Sequence, residues 1–189
     1  IAFIVSFGLT IFFDKSGMLR QVKKEPSAKT EKAKVNKKAD SEINTMENTA
    51  IESLEVFAPA NGYVKPIDQS LDQAFKSKAL GDGVAIDIAD GKIYSPINGV
   101  VETVFPTKHA IGLSTPNGIN VLIHAGIDTV SLDGECFKTF VKDGDSVNKG
   151  DLLLEMDTDL VEAKGLSTQT MLIFMDMDED KKISVDEGD

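Results

Sequence analysis

The sequence holds a single cysteine, Cys136, which excludes an intramolecular disulfide and any zinc site built from cysteine pairs. Only two histidines are present, His109 and His124, and no H-x-H pair of the kind a zinc peptidase would use. No lysine sits in a recognition motif at a hairpin tip, so a lipoyl or biotinyl carrier is excluded. There is no basic face interleaved with aromatic residues, and nucleic acid is therefore not an expected partner. Nor is there an apolar run of the roughly 20 residues that a membrane-crossing helix needs.

What remains is 189 residues with 41% apolar content, enough for one ordinary domain with appendages. The net charge of -11 is unevenly divided. Residues 14–38 carry nine Lys/Arg against three acids, leaving 28 acids and 11 bases elsewhere. The acidic remainder should repel nucleic acid and anionic membrane surfaces.

The chain opens on IAFIVSFGLTIFF, without a methionine, and a Lys-rich flank comes next. Residues 1–13 read as the end of a transmembrane helix, and the flank places the chain after Asp14 on the cytoplasmic side. A buried helix or strand of the same domain is the alternative. Residues 14–50 are dominated by Lys, Glu, Ala, Ser and Thr and read as a flexible linker.

From residue 51 to 175 short apolar runs alternate with Gly, Pro and Asn-Gly, the texture of an all-β domain. Val84, Ile86 and Ile88 share one strand face before a turn at Asp90-Gly91. APANGYV at 58–64 is echoed by SPINGVV at 95–101, each with Asn-Gly suited to a tight turn, and VKDGDSVNKGDLLLEMD repeats the rhythm. The expectation is an antiparallel β-sandwich, a barrel-sandwich hybrid built on a duplicated motif.

Both histidines lie in the most patterned segment. In GINVLIHAGI, Asn120, Leu122 and His124 point one way and Ile119, Val121 and Ile123 the other, so His124 faces away from the isoleucines. In VFPTKHAIGL the same parity groups Phe105, Thr107, His109 and Ile111, subject to a break at Pro106. The intervening STPNG is a turn candidate, and antiparallel pairing would bring the imidazoles together. Two imidazoles with a hydroxyl (Thr107) and a nearby carboxylate (Asp128) suit phosphoryl transfer through a covalent histidine, because neutral imidazole is a nucleophile near pH 7. A strand histidine that merely satisfies its own hydrogen bonds is the plainer reading of the spacing.

The segments VFAPANGYV, FKSKALGDGVAI, GKIYSPINGVVETVFPTKHAIGL, GINVLIHAGIDTVSLDGECF and VKDGDSVNKGDLL resemble, in order and spacing, the glucose-type A domain of the bacterial sugar phosphotransferase system. The resemblance implies that His124 accepts the phosphoryl group and that His109, in Thr107-Lys108-His109-Ala110, assists. It implies an apolar partner surface at Phe75, Phe105, Leu122, Ile127 and Val130. The donor would be the histidine phosphocarrier protein and the acceptor a B-domain cysteine of a permease whose membrane C domain lies upstream, as in β-glucoside or sucrose-type fusions. No organic cofactor and no obligatory metal is implied, although a partner carboxylate could complete a zinc site at His109 and His124. A zinc-binding hydrolase on a related sandwich is the alternative function.

Cys136 lacks basic flanks and reads as a small buried apolar residue. Residues 176–189 form an acidic tail in which Asp176, Asp178, Asp180 and Glu187 mimic a calcium loop. Lys181 occupies the place of the glycine that such a loop requires.

Overall fold

The computed structural model describes residues 10–13, 56–175, 177 and 183–185. The strands are β1 Thr10–Phe13, β2 Val56–Phe57, β3 Gly62–Pro66, β4 Asp82–Ile88, β5 Lys92–Tyr94, β6 Gly99–Val104, β7 Ala110–Ser114, β8 Asn120–His124, β9 Phe137–Thr139, β10 Ser146–Val147, β11 Leu152–Met156, β12 Thr170–Met175 and β13 Ile183–Val185. Two short helices, α1 Gln73–Lys76 and α2 Thr158–Ala163, and 3-10 turns at Ile67–Gln69 and Thr129–Leu132 interrupt them. Among the described residues the strands form three antiparallel sheets, ordered β13-β1-β2, β10-β6-β7-β8-β12-β4-β3 and β5-β11-β9. The expected all-β sandwich is what the chain forms.

The period-two alternation of the seven-stranded sheet separates two apolar clusters. Val84 and Ile86 of β4, Ile111 and Leu113 of β7, Val121 and Ile123 of β8, and Leu172 and Phe174 of β12 enter the main core. Ile93, Leu153, Leu154 and Met156 of the β5-β11-β9 sheet meet them there. Ala85, Met171 and Ile173, from the same strands but the opposite face, form a second cluster under Ile67 and Phe75, with Leu122 against it. Each such large side chain contributes about 1.5–3 kcal/mol through burial.

The echoed Asn-Gly pairs do not make hairpin turns as the sequence suggests. Gly62 and Gly99 begin β3 and β6, where a Cβ would stand 2.3 Å from the Asp87 carbonyl oxygen and 2.1 Å from that of Ser114. Glycine is needed there so that a neighbouring strand can pass close by.

Of the apolar segment read as the end of a membrane helix, Thr10–Phe13 is described, and it is a strand paired with β2 and β13. Its Thr-Ile-Phe-Phe run suits that state, since β-branched and aromatic residues favour pleated backbone. No helix among the described residues is long and apolar enough to cross a membrane. Residues 1–9 and the expected linker at 14–50 lie outside the described residues. So does most of the acidic tail, apart from Met177 and β13.

Candidate functional site

Strands β7 and β8 are joined at Thr115, whose backbone N–H donates to the Ile119 carbonyl (2.9 Å) and whose hydroxyl accepts from the Ile119 N–H (3.0 Å). The pairing sets Ala110 opposite His124. His109 lies one residue before β7, and its carbonyl accepts from the Ala125 N–H at 2.7 Å. The two imidazoles consequently meet edge to face, with ring centroids 4.9 Å apart at 75°.

Strict alternation would send His109 to the same side as Ile111, into the main core. It does not go there, because residues 105–109 leave the strand. The Lys108 N–H donates to the Phe105 carbonyl (2.7 Å), and Lys108 adopts a left-handed backbone (φ 58°). That turn rotates His109 onto the His124 face and lays the Phe105 ring against it at 5.5 Å. Thr107 Oγ1 is hydrogen-bonded to His109 Nδ1 at 2.5 Å.

On the other side of His124, Phe75 of α1 stands edge-on at 4.9 Å. Asp72 caps α1, its Oδ1 accepting from the Ala74 N–H at 2.6 Å. His124 Nδ1 lies 2.9 Å from the Gly126 carbonyl oxygen, which can only accept, so Nδ1 carries the proton and Nε2 keeps its lone pair. Gly126 has φ 77°, and a Cβ there would stand 2.4 Å from Thr129 Cγ2. The turn after β8 therefore requires glycine.

Burial, aided by the neighbouring His109, pushes the His124 pKa down to about 4, against the opposing pull of the Gly126 carbonyl and Asp72. Burial also lowers His109. Both rings are neutral near pH 7. Burial raises the Cys136 thiol, which is enclosed as expected.

The other residues singled out in the sequence fall into different settings. Phe75 and Ile127 are buried in the second cluster and do not line an open surface. Leu122 is half-buried beside them. Phe105 (37% exposed) and Val130 (53%) are accessible. Asp128 has a left-handed backbone (φ 59°) and heads the Thr129–Leu132 turn, with no side-chain cap hydrogen bond. Asp72 exerts a minor attraction on a charged His124 ring, outweighed by burial.

Two groups beside His124 escaped the sequence reading, Asp72 and the Gly126 carbonyl, and so did the exposure of Leu71 (71%) in the loop before α1. Asp72 stands before Gln-Ala-Phe-Lys, a helix-start pattern that would have signalled the cap. Among the described residues no group of three or more His, Cys, Asp or Glu is placed to hold a metal, so the histidine pair has no third ligand among them.

The family model described as phosphoenolpyruvate-dependent sugar phosphotransferase system, EIIA 1, matches residues 54–180. The PTS system glucose-specific EIICBA component of Staphylococcus saprophyticus is 40% identical over 181 residues, covering 94% of this chain and 26% of the relative. The PTS system glucose-specific EIIA component of Halalkalibacterium halodurans is 44% identical over 124 residues, covering 66% of this chain and 72% of the relative. Among solved structures, the glucose permease IIA from Mycoplasma capricolum is similar with a TM-score of 0.62 and 42% identity, covering 64% of this chain and 79% of that one. The chain thus spans about a quarter of the length of the Staphylococcus relative.

Proposed function

Because the chain belongs to the EIIA 1 family of the phosphoenolpyruvate-dependent sugar phosphotransferase system and is a phosphocarrier component of it, we propose that His124 is the residue that carries the phosphoryl group. The observation that carries this reading is the pair of imidazoles 4.9 Å apart, with His124 Nδ1 on the Gly126 carbonyl and Nε2 unprotonated. The Nε2 lone pair attacks the phosphorus of a phosphohistidine on the histidine phosphocarrier protein. A new N–P bond forms as the donor N–P bond breaks, and that electron pair returns to the donor imidazole. The proton stays on Nδ1 throughout, donated in a hydrogen bond to the Gly126 carbonyl.

His109 stabilises the phosphoryl oxygens. With the Thr107 hydroxyl donating to Nδ1, the His109 proton resides on Nε2, where it is available to an anionic oxygen. Phosphoryl transfer depends chiefly on such positioning and charge stabilisation. The exposed side chains of Phe105 and Val130 and the half-buried Leu122 supply an apolar docking surface. Buried Phe75 and Ile127 support it from below, and Asp128 lies at its edge. The group is then passed to a B-domain cysteine of a sugar permease.

Residues 51–175 constitute the A domain, preceded by a linker over 14–50 and succeeded by an acidic tail over 176–189. The fused composition of the Staphylococcus relative, an EIICBA component, supports attachment to a membrane permease and operation at the cytoplasmic face.

Mixing the chain with labelled phosphoenolpyruvate and the two general phosphotransferase proteins should give acid-labile label that His124→Ala abolishes. Full labelling of that variant would overturn the assignment. His109→Gln should still accept label but pass it on slowly, and failure to accept would make His109 either the nucleophile or a structural necessity.

A further inference from the structure

We infer that Gln169 is a positioning residue for the transfer site, holding the loop that carries Leu71, Asp72 and Phe75 against the sheet that carries His124. This rests on the phosphoryl-transfer reading above. Gln169 immediately precedes β12 and is only 2% exposed. Its carboxamide is used at both ends. Nε2 donates to Asp87 Oδ1 at 2.8 Å, while Oε1 accepts from the Leu71 N–H at 2.8 Å and from the Ser70 hydroxyl at 3.2 Å. Asp87 is a carboxylate and the Leu71 N–H only donates, so one orientation of the amide satisfies all partners.

Asp87 is itself held by an ion pair and hydrogen bond with Lys65 of β3. Burial works against its ionised form, yet the bonds from Lys65 and Gln169 leave its pKa below the ordinary value. The anion thus fixes the amide, and the amide fixes the loop. Ser70 extends the chain of contacts, its hydroxyl accepting from the Asp72 N–H at 3.2 Å. Two residues before Gln169, the Ser167 carbonyl accepts from the Ile127 N–H at 2.8 Å. The three residues 167–169 therefore grip both walls of the site, the turn that presents the Gly126 carbonyl and the loop that presents Asp72 and Phe75. The apolar contacts of Ile67 and Phe75 under that loop are not directional, whereas the carboxamide sets one register.

The test compares Gln169→Leu, Gln169→Glu and the double variant Gln169→Glu/Asp87→Asn in the full chain. Each is monitored by the rate of His124 labelling from phosphorylated histidine phosphocarrier protein, by the NMR shifts of the His124 ring protons, which sense the Phe75 ring, and by thermal melting. Gln169→Leu should melt cooperatively yet label about tenfold or more slowly, with the His124 protons losing their Phe75 shift. Gln169→Glu should be slow too, since it sets two carboxylates face to face. The double variant restores one donor and one acceptor and should regain most of the rate.

Labelling of Gln169→Leu at the wild-type rate would overturn the inference, as would a double variant no faster than Gln169→Glu. Absence of His124 labelling in the unaltered chain would defeat the phosphoryl-transfer reading instead, and the ring-proton shifts would still report whether Gln169 holds the loop.

Discussion

His124 can attack phosphorus only while Nε2 is unprotonated, and its surroundings secure that state well beyond neutral pH. With a pKa near 4 against an ordinary 6.5, the ring is neutral throughout the range in which a cell operates. The acceptance rate should stay flat from about pH 5 to 8 and fall about tenfold per unit below pH 4. The same shift has a consequence for stability. Between the two values the unfolded chain binds a proton that the folded chain does not, so stability present above about pH 6.5 is lost as the pH falls toward 4. Burial of His109 acts in the same direction. Melting temperatures of the wild type and His124→Gln between pH 7 and 4.5 isolate the effect. The variant should lose less stability on acidification, and parallel curves would contradict the buried neutral imidazole. At this scale the histidines were legible, because strand parity and motif order both point at His124. Asp72 was not, since its influence depends on a loop folding back over the sheet. Asp128 was picked out by its closeness in sequence to His124, and it stands exposed at the head of the Thr129–Leu132 turn.

Among the local elements, the turn after β8 is tightly constrained. It delivers the Gly126 carbonyl to His124 with a left-handed backbone, beside buried Thr129 and beneath the Ser167 carbonyl. Gly126→Ala adds a Cβ 2.4 Å from Thr129 Cγ2 and 3.1 Å from the Ser167 oxygen. Strain of this kind costs about 1–3 kcal/mol, and relieving it swings the carbonyl away from Nδ1. The variant should therefore unfold at a lower denaturant concentration and accept label far more slowly, even where it remains folded. An unchanged midpoint with unchanged labelling would show that the carbonyl does not govern the ring. The strands themselves were readable because alternation is local: Val84, Ile86 and Ile88 declare their face within five residues. The 105–109 loop was readable only as far as Pro106. Its left-handed Lys108, which redirects His109, carries no mark in residue type, since a non-glycine residue with positive φ is chosen by its surroundings.

At the scale of the whole molecule, one sheet separates a large core from a small one among the described residues, and the two histidines stand on the smaller side. The division into two clusters stems from alternation, but the strand order does not. Placing β12 between β8 and β4 pairs residues some 50 to 90 positions apart, and long-range pairing leaves no short-range signature in the chain. Both described clusters draw on residues from Val56 onward. A chain beginning at residue 51 should consequently fold and accept phosphoryl from the phosphocarrier protein within about twofold of the full rate. Its melting temperature should drop by a few degrees, because β2 and β13 lose the hydrogen bonds of β1 between them. Loss of labelling in a folded truncated chain would show that the boundary at 51 cuts into the working domain. The donor arrives by diffusion and owes nothing to the linker, so its rate is the insensitive quantity. A linker is proposed over residues 14–50. Its removal should instead slow delivery to an acceptor on the same polypeptide, where the linker sets the local concentration.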